Sequence, residues 1–296
     1  MGKKKNNVQK KSIGNFGLLG MSLAVLILGA IWAYWSFIAL PLKQSFKDAQ
    51  YKLLKDSGIN SEADYQKILS LPILMYHHVG PLPLKADQLR RDLTVSAENF
   101  ELEAAWLKGQ GYESISLNDL LLYKQGKFKL PEKPVIFTFD DGYKDVFDYA
   151  VPILKKYGFT GSFGIITQFP GITQGTNEYA SWKQIAQAKQ DGMEIISHSQ
   201  DHFDGTNPKY DDNFIFRNLT DSQSDLLNNI GSALPIMIYP FGHFNSAYIR
   251  QAERAGFKMG LTVESGKQIN MDNLMEIPRI RMHGSDDLER FKRAVQ

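Results

Sequence analysis

The amino-acid sequence predicts an α/β fold in which parallel strands close into a (β/α) barrel, preceded by a single N-terminal transmembrane helix. Beyond residue 71, short apolar runs alternate with amphipathic helical stretches, a pattern typical of parallel βα units. Before residue 43 lies one long segment without a charged side chain. The 296 residues include no cysteine, which excludes a disulfide scaffold and thiolate metal sites.

The N-terminal element is predicted to cross a membrane. Residues 16–40 carry no charge, and these 25 residues would form a helix of about 37 Å, longer than the ~30 Å hydrocarbon core. Residues 1–15 contain five lysines and no acid, so the positive-inside rule makes them a cytoplasmic basic tail and places the rest of the chain outside the cell. A cleaved signal peptide is the alternative, although its apolar region covers only ~7–15 residues.

A short connecting segment follows the predicted anchor. Residues 43–70 are polar and charged, with a few apolar positions at helical spacing, which predicts a helical stalk or a plain linker. The excess of basic over acidic residues is confined to the N-terminal segment, and the rest of the chain carries 29 basic and 32 acidic residues, so no nucleic-acid-binding face is expected on residues 71–296.

Seven apolar runs within residues 71–296 are predicted to be the strands of this domain. They are Ile73–Tyr76, Val135–Phe139, Gly161–Ile166, Met193–Ser197, Ile236–Tyr239, Lys258–Val263 and Glu276–Met282. Amphipathic helices are predicted over Ala97–Gln110, Tyr149–Tyr157, Ser181–Asp191, Thr220–Ile230 and Ser246–Ala255, and a capping box at Ser116 opens another short helix. Seven strands suit a barrel, and a doubly wound open sheet is the alternative.

Chemically capable side chains follow the ends of the predicted strands. All six histidines of the chain lie there: His77, His78, His198, His202, His243 and His283. Two adjacent carboxylates, Asp140 and Asp141, end the second strand. The carboxyl-terminal ends of parallel strands form one rim of a (β/α) barrel, where active sites are built. The sequence therefore predicts that these residues meet at a single site.

Two of these groups together indicate a metal site. Adjacent carboxylates after an apolar strand are costly to bury unless a cation neutralises them, although a turn or helix cap also explains an Asp-Gly pair. His198 and His202 are four residues apart, so both imidazoles can reach one ion, although two surface histidines would look the same. One carboxylate and two histidines leave coordination positions open, as in catalytic rather than structural metal sites.

The motifs Thr138-Phe139-Asp140-Asp141-Gly142 and His198-Ser199-Gln200-Asp201-His202, with Pro240-Phe241-Gly242, resemble the polysaccharide deacetylases of carbohydrate esterase family 4. The resemblance covers about residues 71–285 and implies a distorted (β/α)7 barrel. It implies that Asp140 is the catalytic base and that Asp141, His198 and His202 hold a divalent metal. Zn²⁺ is the expected ion, with Co²⁺, Ni²⁺ and Mn²⁺ as alternatives. The backbone N–H of Phe241 is expected to hold the oxyanion.

The sequence departs from this family in the third motif, where no arginine precedes Tyr239-Pro240. Arg279 or Arg281, on the last predicted strand, is expected to replace it in steering the base or contacting substrate. The family's Asp-Trp motif is also not evident.

With these departures and the early His77, the sequence resembles the subgroup of the family that acts on poly-N-acetylglucosamine. In that subgroup the order of the motifs along the chain is permuted. The general acid would be His77 in that order and His283 in the common order, and His77 is favoured. Tyr143 and Phe241, which adjoin motif residues, are expected to stack on sugar rings.

The resemblance implies a hydrolase that removes N-acetyl groups from N-acetylglucosamine units of a cell-wall or cell-surface polysaccharide and releases acetate. The predicted anchor would place this catalytic domain on the outer face of the cell membrane. An O-acetyl esterase on a glycan is one alternative function. A catalytically inactive glycan-binding protein with the same fold is another.

Overall fold

Seven parallel strands form a closed barrel in residues 67–296, the part of the chain that the computed structural model describes. The strands are β1 (Ile73–Tyr76), β2 (Pro134–Phe139), β3 (Ser162–Ile165), β4 (Glu194–Ser197), β5 (Ile236–Ile238), β6 (Met259–Ser265) and β7 (Ile277–Arg281). Each strand pairs with the next in chain order, and β7 pairs with β1 to close the ring. The predicted barrel is confirmed, and the open doubly wound sheet is wrong.

Eight α-helices accompany these strands in the described residues. They are α1 (Gln88–Leu93), α2 (Ala97–Gly109), α3 (Leu117–Lys124), α4 (Val151–Tyr157), α5 (Trp182–Gln190), α6 (Asp212–Ile230), α7 (Ser246–Arg254) and α8 (Leu288–Val295). A π-helix (Val146–Ala150) precedes α4, and a 3-10 turn (Pro240–Gly242) follows β5. The capping box at Ser116 is present, with Asp119 as its reciprocal partner.

The helix predictions miss two elements and shorten a third. Helices α1 and α8 are short segments beyond the predicted set, and each begins at an aspartate whose side chain caps the first turn. Helix α6 begins after the Asp211 cap, eight residues before the predicted start. Its first turns contain three consecutive apolar residues, Phe214, Ile215 and Phe216, which do not show the one-sided spacing of an amphipathic helix.

The barrel is irregular between its last two strands, where the described chain contains no helix. Residues 266–276 instead hold a short strand, Gln268–Asn270, which pairs antiparallel with Ile68–Ser70. Three further pairings of short strands lie around the barrel. His78–Val79 pairs with Thr94–Val95, Thr173–Gln174 with Asn177–Glu178, and Glu113–Ser114 with the start of β2.

Alternation along β2 separates the helix-packing face of the barrel from its interior. Val135, Phe137 and Phe139 belong to the large cluster that packs under the helices, whereas Ile136 joins a second cluster to which five other barrel strands and α3 contribute. Because side chains alternate along a strand, Thr138 lies on the same face as Ile136. The interior face thus changes from apolar to polar towards the carboxyl-terminal end of the strand.

The N-terminal predictions for residues 1–15, 16–40 and most of 43–70 lie outside the described residues. Within residues 67–296, every helix is too short or too polar to traverse a bilayer.

One buried carboxyl group lies outside the barrel, between β1 and α2. Glu103 is buried and accepts a hydrogen bond of 2.7 Å from the Tyr76 hydroxyl. Burial disfavours the charged form and raises the pKa of Glu103 from 4.5 to about 8. The folded protein therefore holds a proton at Glu103 at neutral pH.

Between pH 4.5 and 8 the unfolded chain has lost the Glu103 proton while the folded protein keeps it, so stability must fall as pH rises. This group alone lowers the free energy of unfolding by about 1.4 kcal/mol per pH unit in that interval. Glu103→Gln, which cannot ionise, is expected to flatten this decline. Urea unfolding at pH 5, 6, 7 and 8 measures it, and parallel pH profiles for the two proteins would contradict the assignment.

Candidate active site

Reactive side chains from four strand ends meet at one cavity of about 430 Å³. His77 follows β1, Asp140 and Asp141 follow β2, His198 follows β4, and Arg281 ends β7. All five border the cavity, together with His202 from the loop after β4. The barrel therefore brings together residues that are more than 200 positions apart in sequence.

Asp141, His198 and His202 form a three-donor cluster suited to a cation. The Asp141 Oδ1 lies 3.1 Å from the His198 Nε2 and 3.4 Å from the His202 Nε2. All three donor atoms lie within 4.8 Å of one another. Two imidazoles and one carboxylate make a donor set that suits Zn²⁺, and the open cavity leaves room for further ligands.

Hydrogen bonding prepares His198 for this role. Its Nδ1 lies 2.9 Å from the Ile238 carbonyl oxygen, which only accepts, so Nδ1 carries the proton. The Nε2 lone pair of the neutral ring then faces Asp141. Although burial lowers the pKa of His198, the Asp141 carboxylate overcomes burial and raises it. A metal cation between His198 Nε2 and Asp141 would take the place of a second proton on the His198 ring.

The other two members of the cluster have the charge states that a metal needs. Burial opposes ionisation of Asp141, but the hydrogen bond and charge of His198 hold its pKa far below the usual range. Burial, followed by the neighbouring His198, lowers the pKa of His202 to about 4. At neutral pH Asp141 is a carboxylate and His202 is a neutral imidazole, as metal coordination requires. The residues thus fit a divalent ion.

Backbone strain is concentrated at the same place. Four non-glycine residues have positive φ angles in the described chain: Asp141 (72°), Ser199 (64°), His202 (60°) and Phe241 (59°). Residues other than glycine rarely adopt this conformation, which is retained where the surrounding structure enforces it. All four belong to segments that border the cavity or link its two histidines, so the strained backbone coincides with the candidate site.

Asp140 is held by a fully buried arginine from β7. Arg279 donates from Nη1 to Asp140 Oδ1 at 2.6 Å and from Nη2 to Oδ2 at 2.8 Å. Two further N–H donors of Arg279 reach the Thr262 carbonyl oxygen at 2.9 Å and the Thr138 hydroxyl at 3.0 Å. Burial would raise the pKa of Asp140, but the Arg279 guanidinium outweighs burial and lowers it. Asp140 is therefore ionised and immobile.

The structure separates the two arginines that the sequence left as alternatives. Arg279 has no exposed surface and is not a cavity wall, so it contacts Asp140 rather than a substrate. Arg281 borders the cavity and donates to Asp92 Oδ2 at 3.1 Å. Arg279 thus occupies the position from which an arginine can steer the base.

The two candidate general acids lie in different places. The His77 Nε2 is 3.9 Å from Asp140 Oδ2 and borders the cavity. Burial lowers the pKa of His77 despite the nearby aspartates, and its buried Nδ1 has no hydrogen-bond partner in residues 67–296. His283 is not among the cavity-lining residues, and its Nδ1 contacts Asp92 Oδ1 at 3.0 Å.

Aromatic side chains occupy two sides of the cavity. Phe241 is 54% exposed and its ring lies 4.4 Å from that of His202. Tyr143 is buried, and its ring stacks at 3.8 Å on His78, whose Nδ1 contacts Asp145 at 2.7 Å. His78 therefore supports Tyr143 from behind, while Phe241 is free to contact a ligand.

Sequence reasoning missed the wall that α1 contributes. Leu89 and Leu93 border the cavity from this helix, and Asp92 bonds both Arg281 and His283. The Asp87 cap and the i, i+4 spacing of the two leucines were visible in the sequence. A six-residue helix without a buried side chain gives too little periodicity to be recognised.

Comparison with known proteins agrees with this geometry. The family profile described as polysaccharide deacetylase matches residues 127–260. The protein YxkH of Bacillus subtilis (strain 168) is 29% identical over 242 residues, which are 81% of each chain. Poly-beta-1,6-N-acetyl-D-glucosamine N-deacetylase of Staphylococcus aureus (strain MSSA476) is 30% identical over 205 residues, covering 67% of this chain and 70% of that protein.

A solved structure shares both the fold and part of the sequence. The Streptococcus pyogenes deacetylase PplD, determined in complex with acetate, superposes with a TM-score of 0.68 at 25% identity. The match covers 77% of this chain and 99% of PplD. The seven-stranded barrel, the matched profile and the identity to the staphylococcal enzyme lead to one conclusion: this chain belongs to the polysaccharide deacetylase family of hydrolases.

Proposed function

We propose that this protein is a metal-dependent hydrolase that removes N-acetyl groups from N-acetylglucosamine units of a cell-wall or cell-surface polysaccharide. The observation that carries the proposal is the pairing of two aspartates in one cavity. Asp141 shares a cation site with His198 and His202, while its neighbour Asp140 is held ionised by Arg279. The staphylococcal relative, named for poly-beta-1,6-N-acetyl-D-glucosamine, supports the choice of sugar.

The proposed reaction begins with the activation of the attacking water. A divalent cation on Asp141, His198 and His202, with Zn²⁺ as the proposed ion, would lower the pKa of a water towards ~7 and polarise the acetamide carbonyl. Asp140 accepts the proton of the attacking water. Because Arg279 lowers the pKa of Asp140, this carboxylate is a weak base. It would therefore take a proton only from an attacking water whose own pKa is lowered.

Two further groups complete the reaction. The backbone N–H of Phe241 is proposed to donate to the oxyanion that forms when the water oxygen bonds to the acyl carbon. His77, whose Nε2 lies 3.9 Å from Asp140 Oδ2, takes up the proton that Asp140 received from the water and donates it to the sugar nitrogen as the C–N bond breaks. The products are acetate and a glucosamine unit, and no covalent intermediate with the protein is required. Phe241 and Tyr143 are proposed to contact the sugar ring.

Acetate release tests the proposed function. The protein is stripped with chelator and incubated with N-acetylglucosamine oligomers, wall fragments and an O-acetylated glycan, with and without Zn²⁺ or Co²⁺. We expect acetate release from N-acetylated oligomers only after metal is restored. Release from the O-acetylated glycan alone would indicate an esterase, and metal binding without release from any substrate would indicate a glycan-binding protein.

His77→Gln is expected to lower kcat by ~10²–10⁴-fold, the usual contribution of a positioned general acid or base. His283→Gln should have a much smaller effect, because His283 does not border the cavity. Steady-state kinetics on an N-acetylglucosamine oligomer with the two variants decides between the histidines. A large loss in His283→Gln with near-normal activity in His77→Gln would assign the acid to the last strand instead.

We also propose that the domain lies outside the cell and is held by residues 16–40. The support is the uncharged length of that segment and the five lysines that precede it. The full chain should remain in the membrane fraction after alkaline carbonate washing, and external protease should remove residues 71–296 from intact cells. A soluble mature chain lacking residues 1–40 would instead indicate a cleaved signal peptide.

A further inference from the structure

Arg281 borders the cavity, and no step of the proposed reaction uses it. It stands two residues after Arg279 on β7, so the two side chains lie on the same face of the strand. Arg279 is fully buried beside Asp140, whereas the Arg281 side chain is 36% exposed. Arg281 therefore presents a cation one layer nearer to the mouth of the cavity.

The protein uses only part of the hydrogen-bonding capacity of Arg281. Within residues 67–296, its guanidinium makes one hydrogen bond, from Nη2 to Asp92 Oδ2 at 3.1 Å. Its buried Nε–H has no acceptor in the same part of the chain. A guanidinium carries five N–H donors in a planar fork that matches a carboxylate or a phosphate. Most of these donors remain for a ligand.

The positive charge of Arg281 is also only partly compensated. Asp92, its ion-pair partner, uses its other oxygen to contact His283 Nδ1 at 3.0 Å. The remaining carboxylates of the cavity are engaged elsewhere. Asp140 is matched by Arg279, and Asp141 faces His198 and His202. An anionic group near Arg281 would therefore meet a guanidinium whose counter-charge in the described residues, Asp92, is shared with His283 and partly exposed to solvent.

The surroundings of Arg281 suit a sugar rather than a free anion. Leu89, Leu93, Val263 and Phe241 provide an apolar wall to the same cavity. Sugar rings have apolar faces that pack on such walls, and their substituents can reach a neighbouring cation. The combination of an apolar wall and one arginine is complementary to an acidic sugar.

We propose that Arg281 is a specificity-determining residue that binds an anionic group, a carboxylate or a phosphate, carried next to the N-acetylated sugar. This inference rests on the proposed function and narrows its substrate class to an acidic glycan. It predicts that neutral N-acetylglucosamine oligomers are the poorer substrates of this protein.

The first test compares kcat/KM for three substrates of equal length. They are a neutral N-acetylglucosamine oligomer, an oligomer alternating with N-acetylmuramic acid, and a phosphodiester-linked N-acetylglucosamine oligomer. We expect the acidic-to-neutral ratio to exceed ten for the carboxylate or the phosphate, which identifies the source of the anion. Arg281→Gln should lower that ratio at least tenfold, and Arg281→Lys should retain part of it because it keeps the charge and loses the fork.

A matched control separates local recognition from general attraction. Arg250→Gln removes an exposed arginine on α7 with the same change in net charge and should leave the ratio unchanged. An equal fall in both variants would show only long-range steering and overturn the proposal. An acidic-to-neutral ratio of kcat/KM near one in the wild-type protein, unchanged in Arg281→Gln, would also overturn the proposal.

A binding measurement decides the proposal independently of turnover. Wild-type protein kept metal-free with chelator is titrated calorimetrically with the acidic and the neutral oligomers. We expect Arg281→Gln to raise the Kd of the acidic oligomer at least tenfold relative to the neutral one. Equal Kd changes would overturn the assignment of Arg281 even if acetate release is observed. Absence of acetate release with selective acidic binding would overturn the proposed function alone.

Discussion

Asp140→Asn is expected to lower kcat for acetate release by ~10²–10⁴-fold, the range for loss of a general base. The amide of asparagine is nearly isosteric with the carboxylate but cannot accept a proton from water. Its side chain still faces His77, whose Nε2 lies 3.9 Å from the Asp140 Oδ2. The cation site uses Asp141 instead, so the variant should bind one equivalent of Zn²⁺.

The variant also leaves Arg279 without its carboxylate partner, so folding must be checked by circular dichroism at the assay temperature. Asp148→Asn is a matched control, because Asp148 is partly exposed and pairs with Lys144 away from the cavity. It should retain near-normal kcat, since exposed ion pairs contribute little. Near-normal acetate release by folded, metal-loaded Asp140→Asn would remove Asp140 from the mechanism.

Arg279→Met is expected to destabilise the protein by about 3–5 kcal/mol, the cost of breaking a buried ion pair. The change leaves Asp140 buried without its guanidinium and also removes the hydrogen bonds to Thr262 and Thr138. Without Arg279 the pKa of Asp140 must rise, because burial then loses its main opponent and only the weaker effects of His77 and His198 still lower the pKa. The surviving folded enzyme should therefore show its activity shifted to higher pH as well as reduced.

A double-mutant cycle isolates the pair. Arg279→Met combined with Asp140→Asn should be more stable than Arg279→Met alone, because the asparagine leaves no unpaired charge buried in the protein. Arg293→Met, a substitution of an exposed arginine on α8, should alter stability by less than ~0.5 kcal/mol. Additive losses in the double variant, measured by urea unfolding, would show that the two side chains do not act as a pair.

The fold was predictable because strand signals are local. Each of the seven barrel strands overlaps a predicted apolar run, since these buried strands consist of only three to seven consecutive residues. Helix α1 was not predictable in the same way, because none of its side chains is buried and its position depends on Arg90 and Asp92 contacting distant segments.

The residues of the candidate site also fall into those that local sequence predicts and those that depend on distant contacts. Asp140, Asp141, His198 and His202 were recognisable because they occur in two short contiguous motifs. The choice between Arg279 and Arg281 was not, because both lie on the same face of β7, two residues apart. The placement of His77 beside Asp140, with His283 bonded to Asp92, likewise depends on the tertiary fold.

The family, the barrel and the donor set of the cation site could be read from the amino-acid sequence, because periodicity and short motifs are properties of neighbouring residues. The arginine that holds the base, the histidine that faces it and the wall that α1 and Asp92 supply became known from the folded structure. These facts depend on closure of the barrel, which brings β7 beside β1 and so joins the end of the described chain to its beginning. Contacts between residues some 140 to 190 positions apart, such as Arg279 with Asp140 and His283 with Asp92, leave no local pattern.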